Sequence, residues 1–192
     1  EIKRQRAFLK SMIDAIPDLV FYKDVNSVYL GCNTAFAHKF IGWNEEDIVG
    51  KTDLDFVGDR ALAEFFRVKD RQVLEAGVSQ LNEETLTMAD GSIVEAETVK
   101  TPFYDEDGKA AGLIGVARDI TKRKKAQNEL LIRQKMLGSL SDAINELLIN
   151  SDIHQAIGRS LAMLGEATGV DRAYLFENHN VNGQGFTSQI LE

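Results

Sequence analysis

Side chains that commonly carry catalysis or hold cofactors are few in this chain. It has one cysteine, Cys32, and three histidines, His38, His154 and His179. Cys32 ends an apolar run that predicts a strand, and we expect it to be a small buried hydrophobic residue. A single cysteine excludes an internal disulfide and fits a reducing compartment, so we expect the chain to work in the cytoplasm.

None of the histidines is placed as a ligand or a phosphoacceptor. His38 lies two positions from Phe36 and should point away from the apolar face of its helix, toward solvent. His154 lacks the acidic residue directly after it and the downstream proline that mark phosphoacceptor helices, so we expect a solvent-facing helix position. His179 lies in a polar segment that predicts a turn, and it suggests nothing specific.

The positions of the carboxylates indicate structural roles rather than metal binding or catalysis. Asp53 and Asp55 are close together, but the segment Thr52-Asp53-Leu54-Asp55 fits helix capping better than metal binding. Glu95 and Glu97 alternate on one face of a strand, which we expect to face solvent. The sequence shows no clustered metal ligands, no phosphate-binding glycine loop and no nucleophile–base arrangement. We therefore predict that this chain is not itself an enzyme.

The net charge and the length of the apolar runs argue against two classes of binding partner. The net charge of −8 over 192 residues makes a sequence-independent nucleic-acid partner unfavourable. No apolar run is long enough to span a bilayer, so we expect no membrane contact from this segment. The chain starts within a predicted helix and ends without a stop signal, and we interpret it as part of a longer protein.

The pattern of elements predicts an α+β fold. An amphipathic helix over residues 5–16 stops at Pro17 and is followed by two strands, 19–23 and 28–32. Short helices come next, among them one over residues 34–40 capped by Asn33 and one capped by Asn44. A longer one follows, Arg60–Ala76, capped by Asp59 and ended by Gly77. Three strands, 79–88, 92–103 and 109–120, meet at two hairpin turns. We predict a five-stranded antiparallel sheet with the helices on one face.

A long helix follows over residues 122–148 and would span roughly 40 Å. Its apolar residues repeat every seven positions, although Arg133 interrupts the repeat, and we expect a homodimeric coiled coil. The charge run Lys122–Lys125 is predicted to be a solvated face that opposes the helix dipole and weakens the start of the pair. The predicted dimer seam consists of Leu130, Leu137, Leu140, Ile144 and Leu147.

Several motifs, taken in order, resemble a PAS domain with its C-terminal PAC part. They are Ile16-Pro17-Asp18, the run from Tyr29 to Phe36, Ile48-Val49-Gly50-Lys51-Thr52 and the terminal Asp119-Ile120-Thr121. A strand is predicted over Val170–Glu177, and residues 152–177 resemble the opening helix and first strand of a GAF domain. The predicted order is an N-terminal linker helix (1–16), a PAS/PAC domain (17–121), a signalling helix (122–149) and a GAF-like fragment (150–192).

This order of domains is typical of bacterial or archaeal multi-domain sensors. The resemblance implies a sensory module of a signal-transduction protein, with a histidine kinase as the expected parent. The alternative is a PAS module that only dimerises and holds no ligand, in a diguanylate cyclase or another signalling protein.

The resemblance also implies where a small ligand and its signal would act. A pocket is expected between the sheet and the helices of residues 52–76, and Asp119, Ile120 and Thr121 would couple it to the long helix. Cysteinyl-flavin is disfavoured because Cys32 precedes Asn33, the reverse of the order in flavin light sensors. Haem is disfavoured because residues 40–152 contain no histidine. The candidate pocket residues are Phe21, Phe36, Phe56, Phe66 and Leu86.

Overall fold

The computed structural model describes residues 1–170, 172, 174–181 and 184–191. The chain divides into two compact units, Glu1–Lys124 and Lys125–Glu192. The first unit contains an N-terminal helix, α1 (Ile2–Asp14), and a single five-stranded sheet with short helices. Helix α1 ends before Pro17, as the predicted break requires.

The sheet has five strands: β1 (Leu19–Asp24), β2 (Tyr29–Cys32), β3 (Gln80–Thr87), β4 (Ile93–Tyr104) and β5 (Ala110–Asp119). It is antiparallel throughout and has the strand order β2-β1-β5-β4-β3. The last strand, β5, lies in the centre and pairs with both β1 and β4, so the first and last parts of the domain are joined by backbone hydrogen bonds.

One buried asparagine ties the start of the sheet to the helices. The Asn33 side-chain oxygen accepts from the backbone N–H groups of Val20 and Phe36, at 3.0 and 2.9 Å. Its amide nitrogen donates to the carbonyl oxygens of Ile13, Ile16 and Asp18. Its predicted capping role is therefore present, and it also anchors the end of α1.

The helices between β2 and β3 differ locally from the prediction. An α-helix was expected over residues 34–40, whereas Phe36–Ile41 is a π-helix. The reason is that the N–H groups of Gly42 and Trp43 both bond to the carbonyl of Ala37, which widens the last turn. Gly42 then ends the helix at a φ of 80°.

Helices α2 (Glu45–Ile48), α3 (Asp53–Phe56) and α4 (Arg60–Ala76) complete the cover over the sheet. At α2 the predicted Asn44 cap is wrong, because no side-chain capping bond forms there. At α4 the prediction is confirmed: Asp59 accepts from the N–H groups of Ala61 and Leu62, and Gly77 closes the helix. The core lies between the sheet and these helices, and its largest members include Phe21, Tyr29, Phe36, Phe66 and Leu113.

The second unit holds most of α5 (Thr121–Ile149), then α6 (Ile153–Thr168) and a hairpin of β6 (Leu175–Val181) and β7 (Gln184–Leu191). Ser160 on α6 donates a hydrogen bond to the carbonyl of Ala143 on α5, at 3.0 Å. The expected strand from Val170 begins only at Leu175, and His179 lies in β6 rather than in a turn. Among the described residues, no helix combines the length and apolarity needed to cross a membrane.

Candidate functional site

Four charged side chains lie in the interior of the first unit. The Lys23 ammonium contacts Asp53 Oδ2 at 2.5 Å and Asp70 Oδ2 at 2.8 Å. The Lys100 ammonium contacts the other Asp70 oxygen at 2.5 Å. All four side chains are at most 3% exposed. Two positive and two negative charges therefore balance in a region from which water is excluded.

Local structure fixes each member of this cluster. Lys23 is the third inward residue of β1, after Leu19 and Phe21, because alternate residues of a strand share a face. Lys100 occupies an inward position of β4, two residues from buried Thr98. Asp70 lies one helical turn after Phe66 on the buried face of α4.

A tyrosine extends the cluster toward the aromatic core. The Tyr29 hydroxyl donates to Asp53 Oδ1 at 2.7 Å, while the Lys23 ammonium lies 4.5 Å from the centre of the Tyr29 ring. Burial and the negative charge of Asp53 raise the pKa of Tyr29 well above its ordinary value. Tyr29 therefore stays a neutral hydrogen-bond donor at physiological pH.

The charge on Asp70 is set by two opposed effects. Burial alone would raise its pKa, but the adjacent ammonium groups of Lys23 and Lys100 outweigh that effect and hold the pKa below its ordinary value of 3.8. Asp70 is thus ionised in the folded protein and serves as the shared counterion of both lysines.

A cavity of about 20 Å³ adjoins this cluster, between the sheet and the helices. It is large enough for about one water molecule. Among the predicted pocket residues, Phe21, Phe36, Phe66 and Leu86 line it. Phe56 does not line it and instead packs against Tyr29, with ring centres 5.3 Å apart. That these residues contact a ligand remains a prediction.

Glu84 on β3 brings an unusual group to the cavity wall. Its Oε1 accepts a hydrogen bond from Thr98, which lies on the neighbouring strand. Its Oε2 is buried and has no hydrogen-bond partner among the residues that the structure describes. A buried acceptor without a donor costs free energy, so this oxygen is a point where a ligand or a water would bind favourably.

Sequence reasoning missed the charged cluster entirely. The capping interpretation is confirmed for Asp55, which forms a reciprocal capping box with Thr52. It is wrong for Asp53, which is 1% exposed and pairs with Lys23. The available signal was Lys23 itself, a charged residue at an inward position of a strand whose other inward residues are apolar.

The predicted coupling residues form a hydrogen-bonded junction between the sheet and α5. The Ile120 N–H donates to the Glu95 carbonyl at 2.8 Å, and the Glu95 N–H donates to Thr121 Oγ1 at 2.9 Å. Asp119 Oδ1 accepts from the Thr121 N–H at 2.8 Å, and these bonds lower the pKa of Asp119. The last strand therefore passes into the helix without a loop, and β4 holds the first helical residue in place.

The basic run at the start of α5 is largely exposed, as predicted, and two of its side chains also pair with carboxylates. Lys124 bridges Glu83 at 2.7 Å and Glu95 at 3.1 Å, and Arg123 contacts Glu97 at 2.9 Å. Hydrogen bonds to the two glutamates raise the pKa of Lys124. These carboxylates on β3 and β4 supply a local reason why cations are tolerated in the first turn of the helix.

The predicted seam of α5 is uncovered in a single chain. Its leucine and isoleucine side chains are between 41 and 60% exposed, and Ala143 is the only buried residue of α5 in the described structure. Pairing of this seam with a second chain remains a prediction. The seam residues are Leu130, Leu137, Leu140, Ile144 and Leu147.

The remaining chemical candidates of the sequence lie outside this arrangement. Cys32 is buried in β2, and burial raises the pKa of its thiol to about 12. His38 and His154 are both exposed. No group of three or more His, Cys, Asp or Glu side chains in the described residues could hold a metal ion.

Comparison with known proteins agrees with this architecture. Residues 13–125 match the family model described as PAS fold, which covers more than half of the chain. The chain belongs to the PAS family. A PAS module of this kind, similar to parts of sensor kinases, is the sensory part of a signalling protein.

The curated proteins that are similar to the chain include a histidine kinase, a sensor protein and a cyclase. The methanogenesis regulatory histidine kinase FilI of Methanothrix harundinacea is 36% identical over 95% of this chain and 20% of its own length. The aerobic respiration control sensor protein ArcB of Escherichia coli is 38% identical over 67% of this chain and 16% of its own length. A diguanylate cyclase of Vibrio cholerae is 31% identical over 73% of this chain and 44% of its own length. The PAS chain thus spans a fifth or less of the two kinases.

Solved structures show the same fold. VqmA bound to DPO is 26% identical with a TM-score of 0.55, covering 85% of this chain and 80% of VqmA. A VqmA dimer of Vibrio cholerae is 31% identical with a TM-score of 0.54, covering 62% of this chain and 52% of VqmA. The PAS domain of BvgS from Bordetella pertussis is 26% identical with a TM-score of 0.54, covering 66% of this chain and 94% of the BvgS domain.

Proposed function

We propose that this PAS chain detects a small molecule in its core and passes the resulting change to α5, as the sensory part of a homodimeric histidine kinase. The observation that carries the proposal is the junction of Asp119, Ile120 and Thr121 with Glu95, which joins the sheet to a 29-residue helix without a loop. An equilibrium between two arrangements of this junction would be the switch.

Strand β4 connects the cavity to that junction. Beside the cavity it carries Lys100, which pairs with Asp70, and Thr98, which bonds to Glu84. Nearer its beginning it carries Glu95, which contacts the start of α5. Lys100 and Glu95 are five residues apart, which is roughly 17 Å along an extended strand. A shift of Lys100 relative to Asp70 would therefore reach the helix through one rigid element.

The similarity to FilI supports a kinase as the parent protein. That match extends over 95% of the chain and so includes most of the second unit as well as the PAS fold. We propose that residues 150–192 open a GAF-like domain, since α6 and the β6–β7 hairpin follow the expected order. Asp171 and Ala173, which carry part of that resemblance, lie outside the described residues.

The homodimer is supported by apolar surface on two helices. The predicted seam of α5 is exposed, and Phe8, Leu9 and Met12 on α1 are also more than half exposed. The similar VqmA of Vibrio cholerae is a dimer. The buried, unpaired Cys32 fits a reducing compartment, and we propose the cytoplasm as the place of action.

Replacing Asp119 with alanine tests the junction. We expect the sheet to remain folded and the first turn of α5 to open more often, because the Thr121 N–H loses its acceptor. A lost helix cap costs about 1 kcal/mol, which corresponds to about fivefold faster amide exchange. Hydrogen–deuterium exchange of residues 121–128, measured on the 192-residue chain, reports this change.

The matched control is Asp107→Ala, which removes an exposed aspartate from the β4–β5 turn. It should leave exchange in α5 as in the parent chain. If Asp119→Ala also leaves exchange in α5 unchanged, the junction does not hold the helix and the proposed route of transmission fails.

The second candidate function is a PAS module that dimerises without a ligand, as in the cyclase alternative. The small size of the cavity favours it, since about 20 Å³ admits no organic molecule without rearrangement. Native mass spectrometry of the purified chain separates the two candidates. A dimer that retains a small molecule supports ligand sensing, and a dimer that carries none supports the second candidate.

A further inference from the structure

We propose that ionic strength is a second input to this chain, acting on the ion pairs that join the start of α5 to the sheet. This ion-pair network consists of Arg123 and Lys124 on α5 with Glu83 on β3 and Glu95 and Glu97 on β4. The inference rests on the proposed function, because the network holds the junction through which the signal would pass. It adds a regulator of that junction other than a ligand.

The three carboxylates of the network share the outward face of two neighbouring strands. Glu83 on β3 is the direct cross-strand partner of Glu97 on β4. Glu95 lies two residues before Glu97 and therefore on the same face of β4. Like charges directly opposite each other destabilise a sheet. This face of the sheet thus carries a repulsion that is relieved when cations lie against it.

The first turn of α5 carries the opposite charge at an equally unfavourable place. Consecutive cations lie there at the end of the helix where the dipole favours negative charge. Arg123 contacts Glu97 at 2.9 Å. Lys124 contacts Glu83 at 2.7 Å and Glu95 at 3.1 Å. Each set of charges is therefore unfavourable by itself and favourable against the other, which makes the docked arrangement of helix and sheet depend on electrostatic attraction.

Solvent reaches every member of the network, so dissolved ions can screen it. The side chains of Arg123 and Lys124 are 49 and 36% exposed, and those of the three glutamates are between 24 and 47% exposed. The screening length is about 10 Å at 0.1 M salt and about 3 Å at 1 M. Salt therefore weakens the attraction in the docked arrangement. It also relieves both repulsions in the undocked arrangement, and the two effects favour undocking together.

Other contacts of the same unit should resist salt. The interior charged cluster around Asp70 is at most 3% exposed, so dissolved ions do not screen it effectively. The hydrogen bonds that the Glu95 backbone forms with Ile120 and Thr121 at the junction involve no formal charge. Salt should consequently loosen the first turn of α5 while the sheet and its core stay folded, and this selectivity is what a regulatory contact requires.

Hydrogen–deuterium exchange of the 192-residue chain at two concentrations of KCl tests the selectivity. Between about 0.05 M and about 0.5 M KCl, we expect protection of residues 121–128 to fall about fivefold, because several exposed ion pairs are screened together. Protection of β5 should change by less than about twofold. Sucrose of the same osmolarity should change neither segment. An equal loss of protection in both segments, or an equal effect of sucrose, would overturn the inference.

Two variants assign the salt response to the network. Lys124→Gln removes two of its contacts and should reduce the effect of KCl on residues 121–128 to about twofold. Lys125→Gln is the matched control, because it removes an exposed cation from the same run that forms no ion pair with the residues that the structure describes. It should keep the response of the parent chain. If the two variants respond equally to KCl, the network is not the element that salt acts on.

A second salt separates screening from binding of a particular ion. MgCl₂ at the same ionic strength as KCl should have the same effect, whereas a response already complete at millimolar MgCl₂ would mean that the glutamates bind the cation, and would contradict screening as the cause. Failure of this inference is also distinguishable from failure of the proposed function. Exchange in Asp119→Ala at low salt tests the hydrogen-bonded junction, and a response there with none to KCl in the parent would refute only the role of ionic strength.

Discussion

The Asp70→Ala variant is expected to lose about 3–5 kcal/mol of unfolding free energy. Asp70 is fully buried and is the shared counterion of Lys23 and Lys100. Its removal leaves Lys23 paired with Asp53 and leaves Lys100 without an ion-pair partner among the residues that the structure describes. An unbalanced charge in the interior is far more costly than the loss of an ordinary hydrogen bond.

Urea unfolding followed by circular dichroism measures this loss. Glu75→Ala is the matched control, because it removes an exposed carboxylate from the same helix and should change stability by less than about 0.5 kcal/mol. A double variant makes the charge argument sharper. Asp70→Ala with Lys100→Met leaves Lys23 paired with Asp53, so it should be more stable than Asp70→Ala alone. A double variant that is less stable than the single one would refute charge balance as the cause.

The same residue predicts a pH dependence. The folded-state pKa of Asp70 lies below its ordinary value of 3.8, so its contribution to stability is fully present above about pH 4. It is lost as the pH falls from there through the lower folded-state pKa. Acid titration of unfolding should therefore show a shallower loss of stability below pH 4 in Asp70→Ala than in the parent. Parallel curves would show that Asp70 does not contribute in this way.

The second large effect is expected at a glycine in the centre of the sheet. In Gly112→Ala the new methyl group would lie 2.0 Å from the backbone oxygen of Lys23 and 2.8 Å from the Phe103 ring. Gly112 lies where β5 pairs with the end of β1. The Lys23 oxygen belongs to the backbone, so it cannot move aside by changing rotamer as a side chain could. The strands must therefore separate locally, which we expect to cost about 3 kcal/mol or more.

Thermal and urea unfolding measure the cost of Gly112→Ala. Gly58→Ala is the matched control in the same unit, because nothing lies within 4 Å of its added carbon and its backbone angle is ordinary. It should change stability little. A Gly112→Ala protein as stable as Gly58→Ala would mean that β1 and β5 are not held as closely as described.

The sequence was sufficient for those parts of the fold that depend on local patterns. Periodicity and turn residues placed the five strands and α4 to within a few residues, because glycine turns and side-chain caps act over short distances. The π-helix was not predictable in this way. It depends on how Gly42 and Trp43 meet the carbonyl of Ala37, which no repeat in the sequence encodes.

The candidate site was predictable only in its apolar part. Aromatic residues near the cavity follow from hydrophobic patterning, whereas the contacts of Lys23 with Asp53 and Asp70 join positions 30 and 47 residues apart. Pairing of charges over such separations appears only once the sheet and α4 are packed together. The role of Glu95 at the start of α5 was missed for the same reason, since its partner Thr121 is 26 residues away.

The burial of Cys32 has a practical consequence for how this chain responds to its surroundings. A thiol with a pKa of about 12 is almost never a thiolate at neutral pH, and only the thiolate reacts rapidly with peroxides or alkylating agents. The folded protein should therefore react only slowly with oxidants at this position. Maleimide labelling of the one cysteine would instead report how often the edge of the sheet opens.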